Sequence, residues 1–477
     1  TRCALFWAGA VGRNFKKHRC KDMRVLLVIT NFNGFHEISY SFGLSSIASY
    51  LNANGHETTI ISINQDSDFE SLAETVRQFQ PRVTGFTSVS SQFYFVNKCA
   101  ELVKQHAPEC LVVCGGVHPT LYPEDVLHAP AIDTFFVGEA EYAFAAFLDR
   151  VEKRESWQDV NNLAYVSSGQ LVRNPLNPLI ENLDVLPYPV KDDIFGQYIE
   201  HNGYAPFFFS RGCPFLCTYC SNHALAKLYH MKRNFPRFRS ADSCIEEIVE
   251  ARRKYNFNKI YFCDDTFGLD KKWRDSFLSR YIKELNLPFL CLLRANVVDE
   301  SFIRQLKEAG CYLIQFGVES GNEYIRNTVM QRNISTEQML NAFNLCHKYH
   351  IATTALNIIG VPGETTSMIW DTIKLNRRLK PTYSGVNIFY PYKGTQLGNH
   401  CFENNLVDLE AYHDFSNERR DSVLNFPPEF KASLRFFHRY WEMLIYPFSP
   451  KKIANCLLRD HKHVLQALRK VYRFFRP

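Results

Sequence analysis

Arg24–Thr30 (RVLLVIT) is an unbroken apolar, β-branched run, the pattern of a strand buried on both faces. Such a strand needs a layer of chain above it and another below, and the residues that follow supply both. Helical segments at Gly43–Asn54, Glu70–Gln80, Phe93–His106 and Glu139–Lys153 alternate with strand-like runs at Glu57–Ile63, Arg82–Thr87, Cys110–Cys114 and Thr134–Val137. Five strands in this alternation predict a doubly wound parallel sheet over 23–153. Sheets of this kind bind ligands at the carboxyl ends of their strands. Those ends carry Thr30-Asn31, Thr87-Ser88, Gly115-Gly116 and Gly138-Glu139, and paired glycines let a ligand approach the backbone closely.

Residues 154–204 are rich in Asn and Pro and read as a connector with one hairpin. A second alternating series begins at Ala205. Strands are expected at Pro206–Ser210, Lys259–Cys263, Phe289–Leu293, Tyr312–Phe316, Thr353–Ile359 and Thr382–Phe389. Helices are expected at Ser243–Tyr255, Lys271–Glu284, Glu300–Ala309, Thr336–Tyr349 and Thr366–Leu379. Six βα units over 205–395 predict a partial (β/α)6 barrel whose chemistry sits at the C-terminal rim of its strands. Beyond Gln396, residues 396–477 read as a helical region broken by prolines.

The net charge of +6 is unevenly placed. From Lys431 onward there are eleven Lys and Arg against Glu442 and Asp460, so the preceding chain is slightly acidic. That argues against a general nucleic-acid partner. Arg435–Trp441 and Leu468–Arg476 both have the pattern of basic amphipathic helices. They suit packing on the barrel, peripheral contact with an anionic membrane or a lipid-like substrate through 431–477, or nucleic acid. No run reaches the ~18–20 apolar residues of a membrane span. Residues 1–22 show little periodicity and are expected to lie outside the fold. A signal peptide is not evident, and a reducing cytoplasm suits the fifteen cysteines better than a disulfide framework.

Cys213-Pro-Phe-Leu-Cys217-Thr-Tyr-Cys220 directly follows the first barrel strand. Three thiolates on one loop can hold three corners of a cubane iron–sulfur cluster and leave one iron open. The competing reading is a structural zinc with a remote fourth ligand such as His223. The other twelve cysteines are scattered singly and suit the core.

C-x-x-x-C-x-x-C in this position resembles the signature of radical SAM enzymes. The resemblance implies a 4Fe–4S cluster on Cys213, Cys217 and Cys220. S-adenosylmethionine (SAM) would chelate the open iron and be cleaved to a 5′-deoxyadenosyl radical by one electron, from a donor such as flavodoxin or ferredoxin. Tyr219 stands at the family's aromatic position beside the adenine. Asp264-Asp265 and Phe267 match its F-x-D-D-x-F segment, which puts Asp265 near the SAM amino group. Arg294 ends the third strand, where a cation can meet a carboxylate such as that of SAM, making it a SAM-binding candidate, or can make a surface ion pair. Gly317-Val-Glu319-Ser320-Gly321 matches G-x-E-S-G, making Glu319 a candidate for the SAM amino or ribose groups. Gly360-Val-Pro362-Gly363-Glu364-Thr365 matches G-x-P-G-E-T near the adenine, and Tyr390–Thr395 resembles P-Y-P-G-T with Lys393 as the departure.

A Rossmann-like sheet ahead of such a barrel resembles the cobalamin-binding subclass. Gly115-Gly116-Val-His118-Pro119-Thr120 is similar to its G-G-x-H-P-T string, and Val137–Glu141 to V-G-E-G-E with Ala140 replacing glycine. The resemblance implies cobalamin held by Thr87, Ser88, Gly115, Gly116, Gly138 and Glu139. No D-x-H-x-x-G occurs in this sheet, so cobalt ligation by that motif's histidine is not expected, and His118 suits a helix start better than a ligand. The implied reaction is methylation of an unactivated carbon of a small-molecule or lipid-like substrate. Cyclisation or rearrangement with the same cofactors, and a non-catalytic cobalamin- or cluster-binding sensor, are the alternatives.

Overall fold

The computed structural model describes residues 23–32, 38–230, 236–413 and 418–457. The extension at 1–22 and the basic run Leu468–Arg476 lie outside the described residues.

The first series folds as β1 (Arg24–Thr30), α1 (Phe42–Ala53), β2 (Glu57–Ile63), α2 (Asp68–Phe79), β3 (Val83–Thr87), α3 (Phe93–His106), β4 (Leu111–Gly115), α4 (Val117–Leu121), β5 (Thr134–Phe136) and α5 (Glu141–Lys153). The strand order 2-1-3-4-5 is that of a doubly wound sheet whose direction of winding switches between β1 and β3. Val25, Leu26, Leu27 and Val28 are all buried, because helices cover both faces of β1. The α3 helix shows the same logic at a helical period, burying Phe93, Val96, Ala100 and Val103.

The hairpin expected in the connector is β6 (Leu163–Ser167) and β7 (Gln170–Arg173), and it extends the sheet antiparallel from β5. A helix that the Asn/Pro composition concealed, α6 (Asp193–Asn202), leads into the barrel, capped by the Asp192 side chain on the Phe195 amide.

The second series comprises β8 (Ala205–Phe207), β9 (Ser210–Arg211), α7 (Ser221–Leu228), β10 (Arg237–Phe238), α8 (Ala241–Lys254), β11 (Ile260–Phe262), α9 (Lys271–Glu284), β12 (Phe289–Leu293), α10 (Glu300–Glu308), β13 (Cys311–Glu319), α11 (Thr336–Lys348), β14 (Ala352–Ile359), α12 (Thr366–Leu379) and β15 (Tyr383–Ile388). Strands β8, β11, β12, β13, β14 and β15 form one parallel six-stranded sheet in that order. Burial alternates along β14, with one face under the helices and the other turned inward.

The expected strand Pro206–Ser210 is broken. Asp264 accepts hydrogen bonds from the amides of Phe209 and Ser210 at 3.1 and 2.7 Å, drawing the chain off the sheet. Ser210–Arg211 then pairs antiparallel with β10.

The described C-terminal region contains α13 (Gln396–Glu403), α14 (Leu409–His413), α15 (Pro428–Ile445) and α16 (Pro450–Leu457). On α15, Leu434, Phe437, Trp441 and Ile445 pack against Ile359, Ile369, Ile373 and Ile388. The first basic amphipathic segment thus lays its apolar face on the barrel. None of the described helices is long and apolar enough to cross a membrane.

Candidate active site

A cavity of about 370 Å³ lies where the carboxyl ends of the first sheet face the start of the barrel. Its wall includes Thr87, Gly115, Gly116, Gly138 and Glu139 from the sheet, and Arg211, Cys213 and Asp265 from the barrel. Ser88 lies beneath this surface, its carbonyl accepting from the His118 amide at 3.0 Å. The glycines keep the floor low. A Cβ on Gly116 (φ +101°) would fall 2.7 Å from the Ser88 carbonyl oxygen, and Gly138 (φ +84°) sits directly under the Tyr229 hydroxyl. At the opposite wall Gly43 has open space where a Cβ would project. A flush, glycine-edged, largely apolar cleft at the strand ends fits a broad flat cofactor such as a corrin. His118 is turned away from it, with Nδ1 3.2 Å from Ser90 Oγ and Nε2 3.1 Å from Asp125 Oδ2, consistent with a helix-start role.

The cysteine loop follows β9 through Gly212 (φ +92°) and is fastened to the barrel at Thr218. The Thr218 hydroxyl donates to the Val329 carbonyl at 2.7 Å, and its own carbonyl accepts from the Leu397 amide at 2.9 Å. Cys217 is buried, while Cys213 and Cys220 are half-buried. Cys220 occupies the N-cap position of α7, where the helix dipole favours sulfur carrying negative charge. Burial pushes the Cys213 thiol up, and the Cys220 thiol to about 12. Iron would have to displace those protons on binding. Arg294 donates from Nη1 to Cys217 Sγ at 3.1 Å while its guanidinium lies 3.7 Å from the Phe215 ring centroid. An all-sulfur donor set with a charged donor to one sulfur fits an iron–sulfur cluster. Among the described residues no three His, Cys, Asp or Glu converge on a single-ion site.

Beside the loop lies an arrangement that the sequence did not announce. Arg332, buried, donates from Nη1 to the Tyr219 hydroxyl at 2.6 Å and to Glu319 Oε1 at 3.2 Å. It thereby joins two of the expected SAM residues. Burial raises the Glu319 carboxyl and the Arg332 charge opposes that shift. Glu319 has φ +61° at a bulge in β13, and its carboxylate folds back over Gly317, where a Cβ would fall 2.4 Å from Oε1. Asp265 lines the cavity with Asn222 and is open to it, and desolvation within the cleft raises its carboxyl. Gly360 and Pro362 stand farther round the rim after β14; the Gly360 amide donates to Glu364 Oε2 at 2.5 Å.

The comparisons with known proteins agree with this division. The Radical SAM superfamily model matches residues 207–375, and the B12 binding domain model matches residues 31–148. The uncharacterized methyltransferase PH0819 of Pyrococcus horikoshii is 31% identical over 371 residues, covering 76% of this chain and 79% of its own length. The chain belongs to the cobalamin-binding radical SAM enzymes. Its cofactors are accordingly a 4Fe–4S cluster, SAM and cobalamin. The anaerobic magnesium-protoporphyrin IX monomethyl ester cyclase of Rubrivivax gelatinosus is 24% identical over 456 residues, 90% of this chain and 80% of that protein. The radical SAM methyltransferase TsrM from Kitasatospora setae, solved with cobalamin and a [4Fe-4S] cluster, shares the fold with a TM-score of 0.68 at 16% identity, covering 80% of this chain and 75% of that one.

Proposed function

We propose that this radical SAM enzyme methylates an unactivated carbon of a small-molecule or lipid-like substrate. The observation that carries the reading is the shared cavity: the glycine floor of the first sheet and the cysteine loop of the barrel wall a single space. Phe42, Leu44, Ile47, Leu183 and Phe208 contribute an apolar lining that suits an uncharged substrate and excludes water.

Cys213, Cys217 and Cys220 would hold the cluster, and Gly115, Gly116, Gly138, Thr87 and the backbone of Glu139 the cobalamin, with Ser88 supporting the floor. When bound, these groups and SAM supply a radical and a methyl group. The chain orients them. Arg294 holds the Cys217 sulfur, Glu319 presents its carboxylate to the SAM amino or ribose groups, and Tyr219 stands beside the adenine, both of the latter tied by Arg332. Asp265 takes the amino group from the cavity side, and the Gly360–Pro362 backbone borders the adenine. The one-electron donor is a small reduced protein of the flavodoxin or ferredoxin type. For the tail, the proposal is peripheral contact with an anionic membrane through 431–477, supported by Phe448 at 96% exposure beside Lys451. Salt-sensitive flotation with anionic vesicles tests it, and failure to float discards it.

Incubation of the anaerobic holoenzyme with methyl-labelled SAM and candidate apolar metabolites tests the reaction. Label in the product supports methylation. A product without label, formed with stoichiometric 5′-deoxyadenosine, supports the cyclisation reading favoured by the similarity to the cyclase.

A further inference from the structure

Two arginines face each other across the short β9–β10 ladder, Arg211 opposite Arg237. Like charges directly opposite are destabilising unless something lies between them. Here it is the Glu139 carboxylate. Arg237 grips it with both terminal nitrogens, at 2.7 Å to Oε1 and 3.1 Å to Oε2, and Arg211 Nη1 reaches Oε1 at 3.0 Å. The Ile180 amide completes its shell at 2.9 Å. Arg211 also meets the buried Glu141 at 2.5 Å, and Glu141 in turn accepts from Ser46 Oγ at 2.8 Å.

The positions of these residues give the network its meaning. Arg211 stands two residues before the first cluster cysteine, separated from it only by Gly212. Glu139 comes directly after the cavity-floor glycine, Gly138, and its amide donates to the Tyr229 hydroxyl just beyond α7. The ion pairs therefore run between the loop that presents the cluster and the loop that floors the cobalamin cleft. A separate contact, Lys393 Nζ 3.8 Å from Asp125 Oδ1 with Gly394 packed against Leu121, also joins the barrel to the first sheet. It would keep the two halves associated without the ion pairs.

We propose that Glu139, Arg211 and Arg237 form a positioning clamp that sets the separation of cluster and cobalamin, so that SAM bound at the cluster delivers its methyl group to cobalt. The proposal rests on the reading of the cavity as the cobalamin site. Because the carboxylate is shared by two facing guanidinium groups, its loss leaves Arg237 without an ion-pair partner and Arg211 held by Glu141 alone in a largely buried ladder, and the cluster loop shifts relative to the floor. Misplacement on the order of 1 Å is enough to cost about a hundredfold in a transfer step.

The test uses full-length protein loaded with cluster and cobalamin, SAM and dithionite as the only reactants, and Glu139→Gln. One readout is the electron-spin relaxation of cob(II)alamin beside the reduced cluster, which depends on their separation. The other is the ratio of S-adenosylhomocysteine to 5′-deoxyadenosine. The clamp predicts that both cofactors are retained, the cobalamin signal saturates at lower microwave power, and the ratio falls about tenfold or more. Unchanged relaxation and ratio, or equal falls in both products, overturns it. If Glu139→Gln fails to load, Arg237→Gln, which removes one arm only, is read by the same criteria. Wild-type protein that takes up no cobalamin overturns the cavity reading and the clamp together.

Discussion

The Arg294 guanidinium donates to the Cys217 sulfur at 3.1 Å and is held there by the Arg332 carbonyl at 2.5 Å and the Phe215 ring. A cation on a cluster sulfur stabilises the reduced, more negative cluster. Arg294→Met is expected to retain iron, move the cluster potential negative and lower SAM cleavage roughly ten- to a hundredfold. A redox titration followed by electron paramagnetic resonance checks it, and an unshifted potential contradicts it.

Two glycines of the fourth-strand motif separate binding from stability. The Cβ of Gly317→Ala would meet the flexible end of Glu319, so the carboxylate swings off Arg332 and SAM binding weakens while the fold holds. In Gly321→Ala the Cβ would fall 2.4 Å from the Asp371 carbonyl oxygen in α12, which cannot yield cheaply. That overpacking is expected to cost about 1–3 kcal/mol. SAM titration of the first and thermal unfolding of the second check the contrast.

Stability should fall as pH rises across the weakly acidic range. Burial raises Asp264 to about 6 and Glu364 to about 8, from ordinary values of 3.8 and 4.5. Between the ordinary and raised values the folded chain binds more protons than the unfolded one. The contribution of each group is therefore complete below its ordinary value and is lost as pH climbs through the raised one. Glu364→Gln is expected to flatten the decline of the unfolding midpoint between pH 5 and 8, as differential scanning fluorimetry at fixed salt would show.

Trp441 on α15 is buried against β15, and its indole nitrogen donates to Ser384 Oγ at 2.9 Å. Trp441→Ala is expected to lose about 3–5 kcal/mol by cavity formation and loss of the indole hydrogen bond. An unchanged denaturant midpoint would show that α15 is a surface appendage and not part of the barrel wall.

The sequence made the two sheets legible because buried parallel strands and the helices between them announce themselves locally: strands Arg24–Thr30, Glu57–Ile63 and Phe289–Leu293 and helices Phe93–His106 and Lys271–Glu284 fall where their patterns place them. The cysteine loop was equally plain, since its three cysteines share eight residues. Arg332 was not, because its partner Tyr219 is 113 positions away and no spacing links them. The Glu139 clamp joins residues 72 and 98 positions apart and was invisible for the same reason. The break after Phe207 depends on Asp264, 54 residues from Ser210, so the local pattern continued a strand that the fold ends.

The most direct test is anaerobic reconstitution of the full chain with iron, sulfide and cobalamin, followed by dithionite and SAM. The wild-type chain is expected to bind about four irons and one equivalent of cobalamin and to form 5′-deoxyadenosine, with iron binding and SAM cleavage both lost in Cys217→Ala. Wild-type protein that forms no 5′-deoxyadenosine, or a Cys217→Ala variant that behaves as wild type, would contradict it.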